Sequence, residues 1–289
     1  MNTILNFAPL GIIIIMLGVG MSASIKSFLE VFKNLKVLLI GLLLQIVILP
    51  IIGFLFASFT SVDTVFKLGI ILITCVPSAV TSNYISKLID ANVALSVSLT
   101  AITACLSFIT IPFILKIVTP IILDNTSVFQ ELNFFKMSLS LLIITTIPVL
   151  IGVFLKTKFS IFVEKINKSY STISLLIFLV IILAAWFSEW NFIFSLYKSI
   201  GFLVTFLALT ILIVSYTLVN LLNLNEANKK AIIIESFVQN AAMAIIVGGT
   251  VFEIESGYLA IAAVYALLQY KILLLLWATN KIFKKINKS

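Results

Sequence analysis

The stretch PSAVTSNYISKL, residues 77–88, lies between two strongly apolar runs, LGIILITCV (68–76) and ANVALSVSLTAITACLSFITIPFIL (91–115). It holds a proline, five hydroxyl side chains and an asparagine. Proline and hydroxyl groups are poor material for an unbroken helix. In a bilayer every backbone N–H and C=O needs a partner, so a broken helix survives only where protein or a water-filled cavity covers the break. The stretch therefore poses one question: is there a membrane here, and what does the break serve?

Composition answers the first half. The chain has 289 residues, of which 62% are hydrophobic and only 10% charged. Its mean hydropathy is +1.25. These values belong to a polytopic membrane protein. The N-terminus has no basic segment ahead of its first apolar run, so that run reads as a permanent span rather than a cleaved signal. Cys75 and Cys105 both fall within apolar runs and read as small core residues, with neither disulfide nor metal. All basic side chains are lysine, and there is no histidine. The net charge of +8 is no sign of a nucleic-acid partner, because the placement of the lysines carries the information.

A spanning helix needs about 20 mostly apolar residues. Nine spans are predicted, at 4–21, 36–59, 66–90, 92–118, 134–156, 171–189, 199–222, 229–251 and 256–280, in one integral membrane domain covering 1–289. The longest connectors are Thr119–Asn133 and Thr157–Tyr170. Alternate connectors place Lys26, Lys33, Lys36, Lys87, Lys156, Lys158, Lys165, Lys168, Lys229, Lys230, Lys281, Lys284, Lys285 and Lys288 on one side. The other side holds Lys67, Lys116, Lys136 and Lys198, with Asp63, Asp124, Glu131, Glu189, Glu253 and Glu255. Positive residues favour the cytoplasm, which puts the N-terminus outside and the C-terminus inside.

A second interruption occurs at ESFVQNAAMA, residues 235–244. One broken span in each half of a chain is the mark of an inverted-repeat transporter, with its sites where two discontinuous helices cross near the midplane. The bland alternative is a pair of kinked structural helices whose hydroxyls bond back to their own turns. Ser96, Thr100 and Thr103 form one helical stripe. Sodium is a hard cation that wants several oxygens. Ser82, Asn83, Ser96 and Thr100 offer neutral oxygens and Glu235 a charged one. Glu235 is either a functional intramembrane carboxylate or an interfacial one close to Lys230. Gln45, taken alone, reads as a helix–helix hydrogen bond.

TSNYISKLIDANVALSVSLTAI (81–102), GLLLQIVILP (41–50), ESFVQN (235–240) and PLGIIIIMLGVGMSAS (9–24) together resemble the bile acid:sodium symporter family, in order and spacing over nearly the whole chain. The resemblance implies an all-α fold of two inverted repeats, 1–120 and 133–289, arranged as a panel and a core domain with two crossing discontinuous helices. The first repeat lacks one of the family's ten helices, as some members do. It implies transport of an organic anion coupled to two Na⁺. The first sodium site then falls on Ser82, Asn83, Ser96, Thr100 and Glu235. The second falls on Gln45, Gln239 and Glu235, with backbone oxygens of Ser236 and Val238. Thr81 and Asn240 fall at the substrate. Two departures stand out: Pro77–Ser78–Ala79 where the family often has Pro-Gly-Gly, and Leu268–Gln269–Tyr270 where it often has Trp-His-Asn. The resemblance covers bile acids, pantoate, pyruvate and other organic acids, and implies a monomer in a bacterial inner membrane.

Lys271 lies within the last span, ten residues before Lys281. It either faces a cytoplasm-open cavity and attracts the substrate's carboxylate near Gln269, or snorkels to the headgroups. Among rival functions, proteases built on Ser–His or HExxH are excluded, because the chain has no histidine. A channel needs a ring of filter groups, and no repeated motif of that kind is visible. A sodium-independent organic-anion carrier or channel is the alternative to the symporter.

Overall fold

A computed structural model describes residues 2–122, 133–188, 190–195, 197–251 and 258–286. Among them the regular structure is helical, apart from one isolated antiparallel bridge between Ser78 and Gln239. In chain order the helices are α1 (Asn2–Ser22), α2 (Ile25–Phe32), α3 (Leu35–Phe59), α4 (Thr64–Cys75), α5 (Val80–Leu88), α6 (Val93–Ile122), α7 (Phe134–Lys158), α8 (Ser160–Ser188), α9 (Trp190–Ser195), α10 (Tyr197–Leu221), α11 (Glu226–Phe237), α12 (Ala241–Val251) and α13 (Tyr258–Ile286).

Six of these helices contain stretches long and apolar enough to cross a membrane: α3, α6, α7, α8, α10 and α13. Shorter apolar helical stretches lie at Ala8–Ser22 and Thr64–Cys75. The long helices present apolar side chains outward. Along α3, for instance, Leu39, Leu43, Val47, Ile51, Leu55 and Phe59 form one exposed row at four-residue spacing. In water such a row would be a liability, but against lipid tails it costs nothing.

α3 and α7 each contain a single π-turn, at Leu44–Ile48 and Leu142–Thr146. Pro50 and Pro148 follow directly, at the start of the next α-helical segment. A proline inside a helix loses one N–H and clashes with the carbonyl four residues back. One extra residue in the preceding turn absorbs that misfit. In α3 the π-turn includes Gln45, which is buried against the centre of the protein.

The two interruptions expected from the sequence are present. α4 stops at Cys75, because Val76 precedes Pro77 and is held extended (φ −72°, ψ 152°). Ala79 is extended as well (φ −87°, ψ 153°), and α5 begins after it. In the second half, Val238 is extended (φ −89°, ψ 94°) between α11 and α12. The two extended segments pair with each other. Ala79 N–H donates to Val238 O at 3.1 Å, and Asn240 N–H donates to Pro77 O at 3.0 Å. The break in each helix thereby satisfies backbone groups freed by the other, as the absence of water in a bilayer demands.

Neighbouring side chains complete the sealing. Gln45 Nε2 donates to Val76 O at 2.9 Å, and Tyr265 Oη donates to Phe237 O at 2.9 Å. Gln269 Oε1 accepts from Gln239 N–H at 2.9 Å, while its Nε2 lies 3.3 Å from Gln239 O. The Asn240 side chain caps α12 by accepting from Met243 N–H at 3.1 Å.

α1 packs chiefly on α7 and α8, whereas α4 packs on α3, α12 and α13. The α1–α7 contact is backbone against backbone. A Cβ added at Gly20 would lie 2.1 Å from Val149 O, and one at Gly152 would lie 2.3 Å from Leu17 O. Small residues at a helix crossing allow this approach in membranes. Trp186 Nε1 of α8 donates to Ala263 O of α13 at 2.8 Å, and Phe178 meets Tyr270 edge-on with ring centroids 6.5 Å apart.

Three local differences from the sequence reading have simple causes. The connector expected at Thr157–Tyr170 is almost entirely the first third of α8, because polar turns continue a helix beyond the apolar slab. A Lys156–Glu164 ion pair at 2.9 Å ties this segment to α7. Residues 25–32, expected as connector, form the short helix α2, whose Ile25, Leu29 and Phe32 are exposed at helical spacing. The connector between the sixth and seventh spans holds the short helix α9. Most of the connector Thr119–Asn133 lies outside the described residues, as do Asp124, Glu131, Glu189, Glu253, Glu255 and Lys288.

Candidate cation and anion site

Glu235 lies in the last turns of α11 and is buried. Its carboxylate is surrounded by hydroxyl groups from the other half of the chain. Oε1 accepts from Ser82 of α5 and Ser96 of α6. Oε2 accepts from Ser78, in the extended link, and from Thr100 of α6 at 2.7 Å. Ser96 Oγ also lies 2.8 Å from Asn83 Oδ1 and accepts from Ser86 Oγ at 3.1 Å. All five hydroxyl residues and Asn83 are buried.

Local folding explains the convergence. Ser82 and Ser86 are four residues apart in α5 and share a face, while Ser78 stands before the helix in the extended link, its hydroxyl 3.3 Å from Ser82 Oγ. Ser96 and Thr100 share a face of α6 for the same reason. The short turn between these helices is closed by Ala91 N–H donating to Ser86 O at 2.8 Å, with Asp90 in the left-handed region (φ 54°). Asn92 then fixes the start of α6 to α11. Its N–H donates to Ala227 O at 3.0 Å, and its Nδ2 to Asn228 Oδ1 at 2.8 Å. Glu235 stands seven residues beyond Asn228, two turns along the same face, level with Ser96 and Thr100.

The proton count is informative. Ser78, Ser82, Ser96 and Thr100 each supply one hydroxyl proton, and the carboxylate accepts all four. Those hydroxyls, both carboxylate oxygens and Asn83 Oδ1 make a cluster richer in lone pairs than in protons. No lysine balances the charge: the ion pairs among the described residues, Lys156–Glu164 and Lys229–Glu226, both involve helix ends and neither reaches Glu235. A buried carboxylate without a cationic partner is costly. An all-oxygen shell with one negative charge suits a small hard cation.

A second group lies beside the crossing. Gln45 Nε2 lies 3.0 Å from Gln239 Oε1, and Gln239 Nε2 donates to Ser236 O at 2.6 Å. Val238 O takes part in the extended pair. Gln45 Oε1 is buried with no hydrogen-bond partner, an acceptor aimed at nothing the protein supplies. The structure thus brings Gln45, Gln239, Ser236 and Val238 together. Both carboxylate oxygens of Glu235 are engaged by the hydroxyl cluster, and Glu235 meets the second group through its chain neighbour Ser236.

The expected substrate residues divide. Thr81 Oγ1 lies 2.7 Å from Tyr270 Oη. Asn240 Nδ2 is a buried donor without an acceptor, and so is Asn83 Nδ2. Lys271 is exposed. It sits two positions after Gln269, about 200° around the helix from that inward-facing amide, and therefore lies outside the cluster. Thr103, grouped with Ser96 and Thr100 by spacing, bonds back to Leu99 O at 2.8 Å and does not reach the carboxylate.

The sequence reading missed the contacts of two residues. Ser78 appears there only as a departure from glycine, yet its hydroxyl is on Glu235. Ser78 precedes α5 across the extended Ala79, so helical spacing gives no signal for it. Gln269 appears there as a departure from histidine and as a neighbour of the substrate's carboxylate, yet it clamps the backbone of Gln239 on both edges. No spacing rule signals that contact.

Comparison with known proteins points the same way. Over 143 residues, half of this chain, the sequence is 32% identical to the "Probable sodium/metabolite cotransporter BASS3, chloroplastic" of Arabidopsis thaliana. Over 176 residues, 61% of this chain, it is 31% identical to the "Sodium/bile acid cotransporter 4" of Homo sapiens. These alignments span 32% and 40% of the relatives' own lengths. The relatives are transporters and not enzymes. The model of the sodium bile acid symporter family matches residues 9–196, more than half of the chain, and takes in α3 with Gln45, the first interrupted helix and the hydroxyl face of α6. A multi-pass helical membrane protein with that match belongs to the sodium bile acid symporter family.

Proposed function

We propose that this protein is a sodium-coupled symporter that imports an organic anion by alternating access. The observation that carries the reading is the buried Glu235 carboxylate, held by four hydroxyls and, among the described residues, by no basic side chain. In this reading Ser82, Asn83, Ser96, Thr100 and Glu235 bind one Na⁺. Gln45, Gln239 and the backbone oxygens of Ser236 and Val238 bind a second, with Glu235 adding charge to both. Sodium is cargo here, and its free energy drives the anion's uptake.

The anion occupies the crossing point. Thr81 supplies a hydroxyl there and Asn240 an amide N–H that lacks an acceptor, groups suited to a carboxylate. Small organic acids such as pantoate or pyruvate, and bile-acid-like molecules, are the candidate substrates. Nine membrane-crossing segments form two inverted repeats, 1–120 and 133–289. α1, α7 and α8 act as a panel against which the remaining helices rock. The protein works as a monomer in a bacterial inner membrane, with its N-terminus outside and its C-terminus in the cytoplasm.

The test is uptake of labelled pantoate, pyruvate and taurocholate into proteoliposomes, with an inward Na⁺ gradient against the same gradient of K⁺. Saturable uptake of one acid that requires Na⁺ is the expected result. Equal uptake in Na⁺ and K⁺ would make the protein a sodium-independent carrier, and uptake that never saturates would make it a channel.

A further inference from the structure

Ser78 has a more definite role than hydrogen-bond donor. It lies in the extended link between α4 and α5 and is fully enclosed. Its backbone forms the antiparallel bridge with Gln239, which fixes its Cα beside the carboxylate. Its hydroxyl meets three groups at once: Glu235 Oε2, Thr100 Oγ1 at 3.0 Å and Ser82 Oγ at 3.3 Å.

One hydroxyl has one proton and two lone pairs. Ser78 and Thr100 both reach Glu235 Oε2, and Ser82 reaches Oε1. Either hydroxyl can donate in the Ser78–Thr100 and Ser78–Ser82 pairs, but three hydroxyl protons serve five close oxygen–oxygen contacts, so at least two contacts go without a proton of their own. Oxygens crowd in this way around a cation. A hard cation of calcium-like size holds its oxygens at about 2.3–2.6 Å, which in octahedral geometry separates adjacent oxygens by about 3.3–3.7 Å. The Ser78–Ser82 distance falls at the edge of that range, and the Ser78–Thr100 distance slightly below it.

Resting on the sodium-site reading above, we propose that Ser78 Oγ is itself a sodium ligand, the hydroxyl that completes the shell around Glu235. The extended pairing with Val238 and Gln239 preorganises it, so the ion gains an oxygen without ordering a flexible side chain. Ser78 also joins the carboxylate cluster to the segment carrying Gln239. A shell that has lost this oxygen has a lower coordination number, which suits a smaller ion better than Na⁺.

The experiment titrates purified full-length protein with NaCl or LiCl, replacing choline chloride at constant ionic strength, and follows thermal unfolding. Ser78→Ala is expected to raise the Na⁺ midpoint roughly five- to thirtyfold, the scale of one lost polar contact, and to shift preference toward Li⁺. Ser78→Thr keeps the hydroxyl and should restore much of the Na⁺ affinity. Should the alanine variant not fold, Ser78→Cys preserves volume while replacing the hard oxygen with sulfur, and the same shift is expected. If Ser78→Ala weakens Na⁺ and Li⁺ by the same factor, or leaves the Na⁺ midpoint at its wild-type value, Ser78 is a structural donor and the proposal is overturned. Glu235→Gln separates the two levels. If it loses the Na⁺ response while Ser78→Ala keeps it, only the role of Ser78 fails. If both variants keep it, the sodium-site reading itself has failed.

Discussion

Thr100→Val removes one oxygen from the cluster and leaves volume almost unchanged. Thr100 is completely buried, and its Oγ1 is 2.7 Å from Glu235 Oε2. Two consequences follow, and they must be kept apart. Without sodium the carboxylate loses one of its four donors, and a hydrogen bond to a charged group is worth about 1.5–3 kcal/mol. The variant should therefore unfold at a lower temperature in choline chloride. Sodium binding loses in addition the ligand oxygen, at about 1–2 kcal/mol, or roughly five- to thirtyfold in affinity. At a sodium concentration 100 times the wild-type Kd, the ion stabilises the wild type by about 2.7 kcal/mol. A tenfold weaker variant would gain only about 1.4 kcal/mol at that concentration. The assay is thermal unfolding of the detergent-solubilised protein across a sodium titration. A lower melting point in choline with an unchanged sodium midpoint would refute the reasoning, because Thr100 would then support the carboxylate without touching the ion.

Gln269→Leu keeps the bulk of a fully buried side chain but removes both contacts to the Gln239 backbone. It should cost about 1–3 kcal/mol per polar group left unsatisfied and weaken sodium binding; an unchanged melting point would remove its positioning role. Phe178→Cys with Tyr270→Cys, joined by a short bifunctional reagent, should stop transport while leaving the sodium-induced rise in melting temperature intact. Full transport with the link verified would contradict the division into panel and core. Lys271→Met should leave the KM for the transported anion unchanged, since the exposed ammonium sits on the helix face away from Gln269; a raised KM would return Lys271 to the substrate path.

Much of this architecture is visible in the sequence because its causes are local. Pro77 disfavours the helical conformation at Val76, and in lipid a break of that kind must be covered by protein or water. Glu235 stands out because carboxylates are rare in apolar runs. Ser96 and Thr100 are found by helical spacing, while Thr103, further along the same stripe, spends its hydroxyl on its own helix at Leu99 O. What stays hidden depends on pairing between distant parts of the chain. The bonds from Ala79 to Val238 and from Asn240 to Pro77 join positions about 160 residues apart in sequence, and no local pattern encodes them. The clamp of Gln269 on Gln239 is of that kind too. Ser78 is also hidden, because it stands outside α5 across the extended Ala79, where helical spacing does not apply. The early start of α8 at Ser160 was missed for another reason: hydropathy marks where a helix leaves the bilayer, not where it ends.

The central claim is that one buried carboxylate binds the driving ion. Glu235→Gln is the sharpest probe, because the amide preserves size while removing the charge and replacing one acceptor oxygen with an N–H donor. The measurement is ²²Na⁺ binding to purified wild-type and variant protein, with a melting curve in choline chloride to establish folding. The expected result is a folded Glu235→Gln protein, at least as stable as the wild type without sodium because a buried charge is gone, whose ²²Na⁺ binding is reduced by more than about 100-fold, the scale of roughly 3 kcal/mol. A folded variant that binds ²²Na⁺ with wild-type affinity would contradict it.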